Sequence, residues 1–123
     1  MTRFMTAALA LILATGQAYA APTQTADSSA GMFLTNMDGM ALYTFDKDAA
    51  GVSNCAGECV AIWPILAATE GDMAEGDYAV IDRADGMKQW TYKGMPLYTF
   101  VKDAAAGDMM GDGVKDVWHL ARP

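Results

Sequence analysis

The residues of this chain best suited to chemistry come in pairs. Tyr43, Phe45 and Asp48 recur as Tyr98, Phe100 and Asp103 within Leu-Tyr-Thr-Phe-x-Lys-Asp, a phrase written twice. Two phenol–carboxylate sets could line a ligand pocket between the copies. They also have a structural use. Each Asp follows a strand-like run, where its carboxylate can accept N–H bonds from the next loop, Ala49-Ala50-Gly51 or Ala104-Ala105-Ala106-Gly107. Each Tyr ring can fill core while its hydroxyl finds a polar partner. The structural use is the expectation taken here, because a duplicated feature builds scaffold before it builds a particular activity.

The remaining candidates occur once. Cys55 and Cys59 stand in a Cys-x3-Cys spacing that reads as a disulfide in an exported chain. A metal pair is the other use of that spacing, but a closed zinc site wants four ligands and the chain has one His. Met109 and Met110 with His119 form the one cluster of soft ligands suited to Cu(I). Asp103, Asp108, Asp112 and Asp116 dot a Gly-rich stretch whose oxygens would suit calcium, although the spacing is not that of an EF-hand and no Glu closes it. No Ser or Cys nucleophile stands beside a base, and no Gly-rich phosphate loop is present. The chain therefore reads as a non-catalytic binding or interaction module of unknown ligand. A periplasmic copper-binding or redox-linked protein is the alternative.

What must position these residues is an internal repeat. Residues 39–50 and 94–105 align without a gap at an offset of 55, with 10 of 12 positions identical. The same offset places Gly31-Met32 on Gly86-Met87 and Trp63 on Trp118. Such self-similarity decides architecture before any single motif does. The Tyr-x-Phe-x-x-Asp pattern in two copies, with Trp63-Pro64 closing the first and Trp118 the second, resembles the bacterial secreted-repeat family. Its members are predicted lipoproteins with a Tyr-x-(Phe/Trp/Tyr)-x-x-Asp motif. The resemblance implies export and repetition and brings no reaction with it. Its motif residues here are Tyr43, Phe45, Asp48, Tyr98, Phe100, Asp103, Trp63 and Trp118. The chain departs from the lipoprotein pattern, since its two cysteines lie far from the expected cleavage site, and no lipid anchor is expected.

Residues 1–20 read as a signal peptide. Arg3 gives a positive start, Ala7 to Ala14 an apolar stretch, and Ala18-Tyr19-Ala20 a small-x-small cleavage site. The apolar run is too short to span a bilayer. Cleavage near Ala20 would leave a soluble periplasmic or secreted protein of 103 of the 123 residues. With Arg3 gone, seven basic residues face 15 acidic ones, a formal charge of −8. That charge speaks against nucleic acid and anionic membrane surfaces, both of which want clustered Lys and Arg.

Residues 21–30 are small and polar and read as a flexible lead-in. Phe33-Leu34-Thr35 and Ala41 to Phe45 flank Asp38-Gly39, a hairpin dipeptide. Alternation puts Tyr43 and Phe45 on one face and Leu42 and Thr44 on the other. Residues 78–100 read as a three-stranded antiparallel meander with turns at Arg83-Ala84-Asp85-Gly86 and Lys93-Gly94. Val60 to Leu66 and Val117 to Ala121 are short apolar segments at matching places, and Cys59 to Ile65 could give one helical turn. Of the eight methionines beyond the signal, the repeat-equivalent Met32/Met87 and Met40/Met95 are expected in the core. The fold class is mainly β: one small antiparallel domain, 31–123, made of repeat 31–66 and repeat 86–121 with pseudo-twofold symmetry. One hairpin cannot bury enough apolar surface alone, so the copies should share a core.

Overall fold

The computed structural model describes residues 22–123; the expected signal peptide lies outside the described residues. Seven short strands appear in chain order: β1 (Gln24–Ala26), β2 (Phe33–Thr35), β3 (Tyr43–Phe45), β4 (Tyr78–Asp82), β5 (Lys88–Tyr92), β6 (Met95–Pro96) and β7 (Trp118–Leu120). One helix, α1 (Glu58–Ile62), lies between β3 and β4, and a 3-10 turn spans Val114–Asp116. All strand pairs are antiparallel: β1 with β2, β3 with β7, and β4 with β5 with β6. The protein is mainly β, and the expected meander over 78–100 is present as β4-β5-β6. Its second turn is tight because Lys93 (φ 51°) and Gly94 (φ 87°) both take left-handed backbone, which matches the twist of the flanking strands.

Each copy hands its last segment to the other. Residues 62–66, at the end of the first copy, run beside 97–101 of the second through Val101 N–H to Ile62 O, Thr99 N–H to Pro64 O and Leu66 N–H to Leu97 O. The segment 117–121 does the same along the first copy, with Asp46 N–H to Val117 O and Ala121 N–H to Leu42 O, besides the β3–β7 ladder. At the centre, Tyr43 and Tyr98 exchange both backbone bonds, at 2.7 and 3.0 Å. The pseudo-twofold axis therefore passes between these two residues. The connection through 67–77 joins halves that are already interlocked.

Alternation about that axis makes two cores. On one side Leu34, Leu42, Trp90, Leu97 and Ala121 are buried together. On the other, Tyr43, Trp63, Tyr98, Phe100, Trp118 and Leu120 pack with Phe33 and Cys55. Here four rings lie in one continuous stack: Phe45 on Trp118 (4.2 Å between centroids), Trp118 on Trp63 (3.8 Å, 4° between planes), and Trp63 on Phe100 (4.1 Å). Each copy contributes alternate partners, so the stack also stitches the copies together. Gly111 is required beside it, because a Cβ there would sit 2.8 Å from the Trp63 ring and 2.9 Å from Tyr43.

Three details depart from the sequence reading. Gln24–Ala26, assigned to a flexible lead-in, form β1 against β2, and Thr23 bonds the hydroxyl of Tyr78. Their polar side chains lack strand signals because β1 is an edge strand with its side chains largely exposed. Met32 and Met87, expected in the core, are 49% and 52% exposed, and Met40 and Met95 are half-buried. Both faces of β2 are buried, Phe33 in one core and Leu34 in the other, and Met32 stands just before the strand begins. Finally, the strand that completes β3 is β7 from the other copy.

The stack yields a direct expectation. Trp63→Ala and Trp118→Ala should each cost about 3–5 kcal/mol in urea unfolding, as for other buried large-to-Ala changes. Gly111→Ala should also destabilise, by forcing the Trp63 ring out of register. Losses under about 1 kcal/mol for all three would contradict a shared aromatic core.

Candidate functional site

The signature residues are positioned by the exchange of segments, and they pair across the copies. The Tyr43 hydroxyl donates to Asp103 Oδ2 at 2.6 Å, and the Tyr98 hydroxyl donates to Asp48 Oδ2 at 2.7 Å. The second oxygen of each carboxylate accepts a loop N–H, from Asn54 at 2.6 Å to Asp48 and from Met110 at 2.8 Å to Asp103. The loop bond expected from sequence is thus present, but further along each loop than 49–51 or 104–107. Both tyrosines are fully buried, and the two carboxylates are 9% and 7% exposed.

Each hydroxyl also accepts one bond. Gly111 N–H donates to Tyr43 at 3.1 Å. Ser53 meets Tyr98 at 2.6 Å, and since Tyr98 gives its proton to Asp48, Ser53 is the donor. Behind Ser53 stands Arg83, buried, with bonds to Ser53 Oγ (2.6 Å), Gln89 Oε1 (3.0 Å) and Cys55 O (2.8 Å), and an ion pair to Asp85 at 3.0 Å. Sequence reading missed this chain, because Arg83 and Asp85 looked like a surface turn. One copy therefore secures its tyrosine with a glycine loop, and the other with an arginine network beside the Cys55–Cys59 disulfide.

The electrostatics follow burial. Desolvation, with Asp103 alongside, pushes the Tyr43 hydroxyl well above its ordinary value. Burial pushes Tyr98 up to about 12. Burial also raises the Asp48 carboxyl, against the bonds from Asn54 and Tyr98 that favour its charged form. The bond from Arg83 holds exposed Asp85 below the usual carboxylate range. At neutral pH these phenols are held protonated, as hydrogen-bond donors.

The other candidates lie apart from this centre. Asp108 accepts the N–H groups of Ala104 and Ala105, and Asp112 that of Leu120, so these two carboxylates cap backbone as Asp103 does. Asp116 sits with left-handed backbone (φ 61°) at the end of the 3-10 turn. Met109 packs against the core, Met110 is 64% exposed, and His119 on β7 bonds Asp46 at 2.8 Å. Among the described residues, no group of three or more His, Cys, Asp or Glu is placed to hold a metal ion.

Between the copies a cleft of about 470 Å³ opens over the ring stack, and none of Tyr43, Tyr98, Asp48 and Asp103 lines it. Its walls pair at the repeat offset: Phe45 with Phe100, Lys47 with Lys102, Cys59 with Val114, Ile62 with Val117 and Trp63 with Trp118. Lys47 and Lys102 were legible as the invariant Lys of the repeated phrase.

A family model described as a secreted repeat of unknown function matches the chain twice, over residues 24–67 and 79–122. These bounds include β1 and its counterpart β4, and so extend each repeat beyond the 31–66 and 86–121 read from sequence. No curated protein and no solved structure matches the chain.

Asp48 gives this site a pH signature. A carboxyl raised on folding contributes stability that is fully present below its unfolded value, 3.8, and is lost as pH rises through the folded value. Asp48→Asn removes that titration. The stability advantage of the wild type over Asp48→Asn should therefore be larger at pH 3 than at pH 7, measured by urea unfolding at both. A gap that narrows towards low pH would contradict the assignment.

Proposed function

The chain belongs to the family of secreted repeats of unknown function, and on that premise we propose that it is an exported, non-catalytic binding module. The observation that carries this reading is the fate of the signature residues. Both Tyr–Asp pairs are buried, mutually satisfied and absent from the lining of the cleft over the ring stack. A phenol held protonated and already bonded to its carboxylate is a structural strut, poorly suited to act as nucleophile or base. The duplicated groups build the frame, and the cleft above the ring stack is where a ligand or partner would meet it. Small-molecule sites are concave, mostly apolar and largely preformed, with a few placed polar groups, and the cleft has that character.

Export is supported by the family description and by the disulfide, which persists in oxidising compartments. Among the described residues no helix is long and apolar enough to cross a membrane. The proposed location is the periplasm or the medium, after cleavage at Ala20.

Expression of the whole chain in a Gram-negative host tests this reading. Mass spectrometry of the periplasmic or culture fraction should find a protein beginning at Ala21, with Cys55 and Cys59 oxidised. Its Tyr43→Phe and Tyr98→Phe variants should lose stability while gaining or losing no hydrolytic or oxidative activity across a substrate panel. A cytoplasmic, uncleaved product, or turnover abolished by either variant, would contradict it.

A further inference from the structure

The lining of the cleft over the ring stack narrows the chemistry of what it can hold. Of the five lysines beyond the signal segment, Lys47, Lys102 and Lys115 all line this one cleft, in a chain carrying a large excess of acidic residues. The carboxylate on its lining is Glu58. Among the described residues, the ion pairs formed by lysine or arginine are Arg83–Asp85 and Lys88–Asp82, so none of the three cleft ammonium groups is held in an ion pair. A concentration of unpaired positive charge on an otherwise acidic protein is complementary to an anion.

The floor adds a second constraint. Trp63 is covered on one face by Trp118 and on the other by Phe100, while Trp118 is covered by Trp63 and Phe45. The indoles, 5% and 3% exposed, can therefore meet a ligand only along the narrow edge that opens on the cleft. Ring edges carry the positive end of the aromatic quadrupole, and they favour the face of another ring in a T-shaped contact. Ile62, Val101, Val114 and Val117 supply apolar walls. A volume of about 470 Å³ suits a small molecule.

We propose that this cleft binds a small aromatic carboxylate, its ring face on the edges of Trp63 and Trp118 and its carboxylate on Lys47 or Lys102, with Lys115 choosing between them. The proposal rests on the binding-module reading. The pseudo-twofold repeats Lys47 and Lys102 on opposite walls, so the anion has a cationic partner in either orientation; Lys115 breaks the symmetry and selects one.

The test is calorimetric titration of the mature protein with naphthalene-2-carboxylate, naphthalene-2-carboxamide and cyclohexanecarboxylate, with the ligand recovered and analysed afterwards. The carboxylate should bind saturably at one site. The neutral carboxamide and the non-aromatic acid should each bind roughly tenfold or more weakly, in line with loss of a charge-assisted bond or of an aromatic contact. Lys47→Gln/Lys102→Gln and Lys115→Gln change exposed side chains, and should weaken the carboxylate by a similar factor while leaving the melting temperature unchanged. Absence of binding, equal affinity for acid and amide, or indifference to the lysine variants would overturn the ligand assignment and leave the module reading standing. Sedimentation showing a dimer that closes the cleft to the probe would overturn it too. Recovery of a chemically altered probe would overturn the non-catalytic reading itself.

Discussion

Everything in this molecule depends on the exchange across one axis. Tyr43 and Tyr98 share a pair of backbone bonds, and each sends its hydroxyl to the carboxylate that the other copy supplies. A buried phenol or carboxylate left without its partner carries a desolvation penalty of about 1–3 kcal/mol or more. Each copy therefore needs the other to satisfy its own polar groups. The crossed segments 62–66 and 117–121 and the four-ring stack carry the same dependence into the strand ladders and the core. Duplication here has produced one cooperative unit whose two cores are each built from both copies, so that neither half can bury its own aromatic face.

That economy explains how the two copies differ without losing the frame. The first copy steadies its loop with the Cys55–Cys59 bridge and the Arg83 network; the second uses Gly111 and the aspartate caps at Asp108 and Asp112. Both solutions deliver one donor to a tyrosine hydroxyl and one N–H to an aspartate. What is kept constant is the environment of the axis, and what varies is the periphery. The cleft falls between these regimes. Its floor and two of its lysines are duplicated, while Glu58 and Lys115 belong to one copy each.

Much of this was legible in the residues, and for identifiable reasons. The repeat, the meander over 78–100 and the equivalence of Trp63 and Trp118 follow from self-similarity, turn dipeptides and alternation. The pairing of Tyr43 with Asp103 did not follow, because sequence proximity suggests Asp48, and only the exchanged strands bring the distant carboxylate closer. β1 escaped notice because an edge strand with solvated side chains leaves no apolar pattern. Arg83 was hidden for the opposite reason: a charged residue in a turn reads as surface until its bonds to Ser53, Gln89 and the Cys55 carbonyl are seen. The cleft could have been suspected from the invariant Lys of the repeated phrase, but its floor depends on two rings 55 residues apart lying flat on each other.

The most direct test of the crossed arrangement is a pair of double-mutant cycles read by equilibrium unfolding, Tyr43→Phe with Asp103→Asn, and Tyr43→Phe with Asp48→Asn. The structure predicts a coupling of about 1 kcal/mol or more for Tyr43 with Asp103, and near zero for Tyr43 with Asp48. Coupling to Asp48 in place of Asp103 would mean that each copy satisfies itself, and would contradict the interlocked fold on which both the frame and the cleft depend.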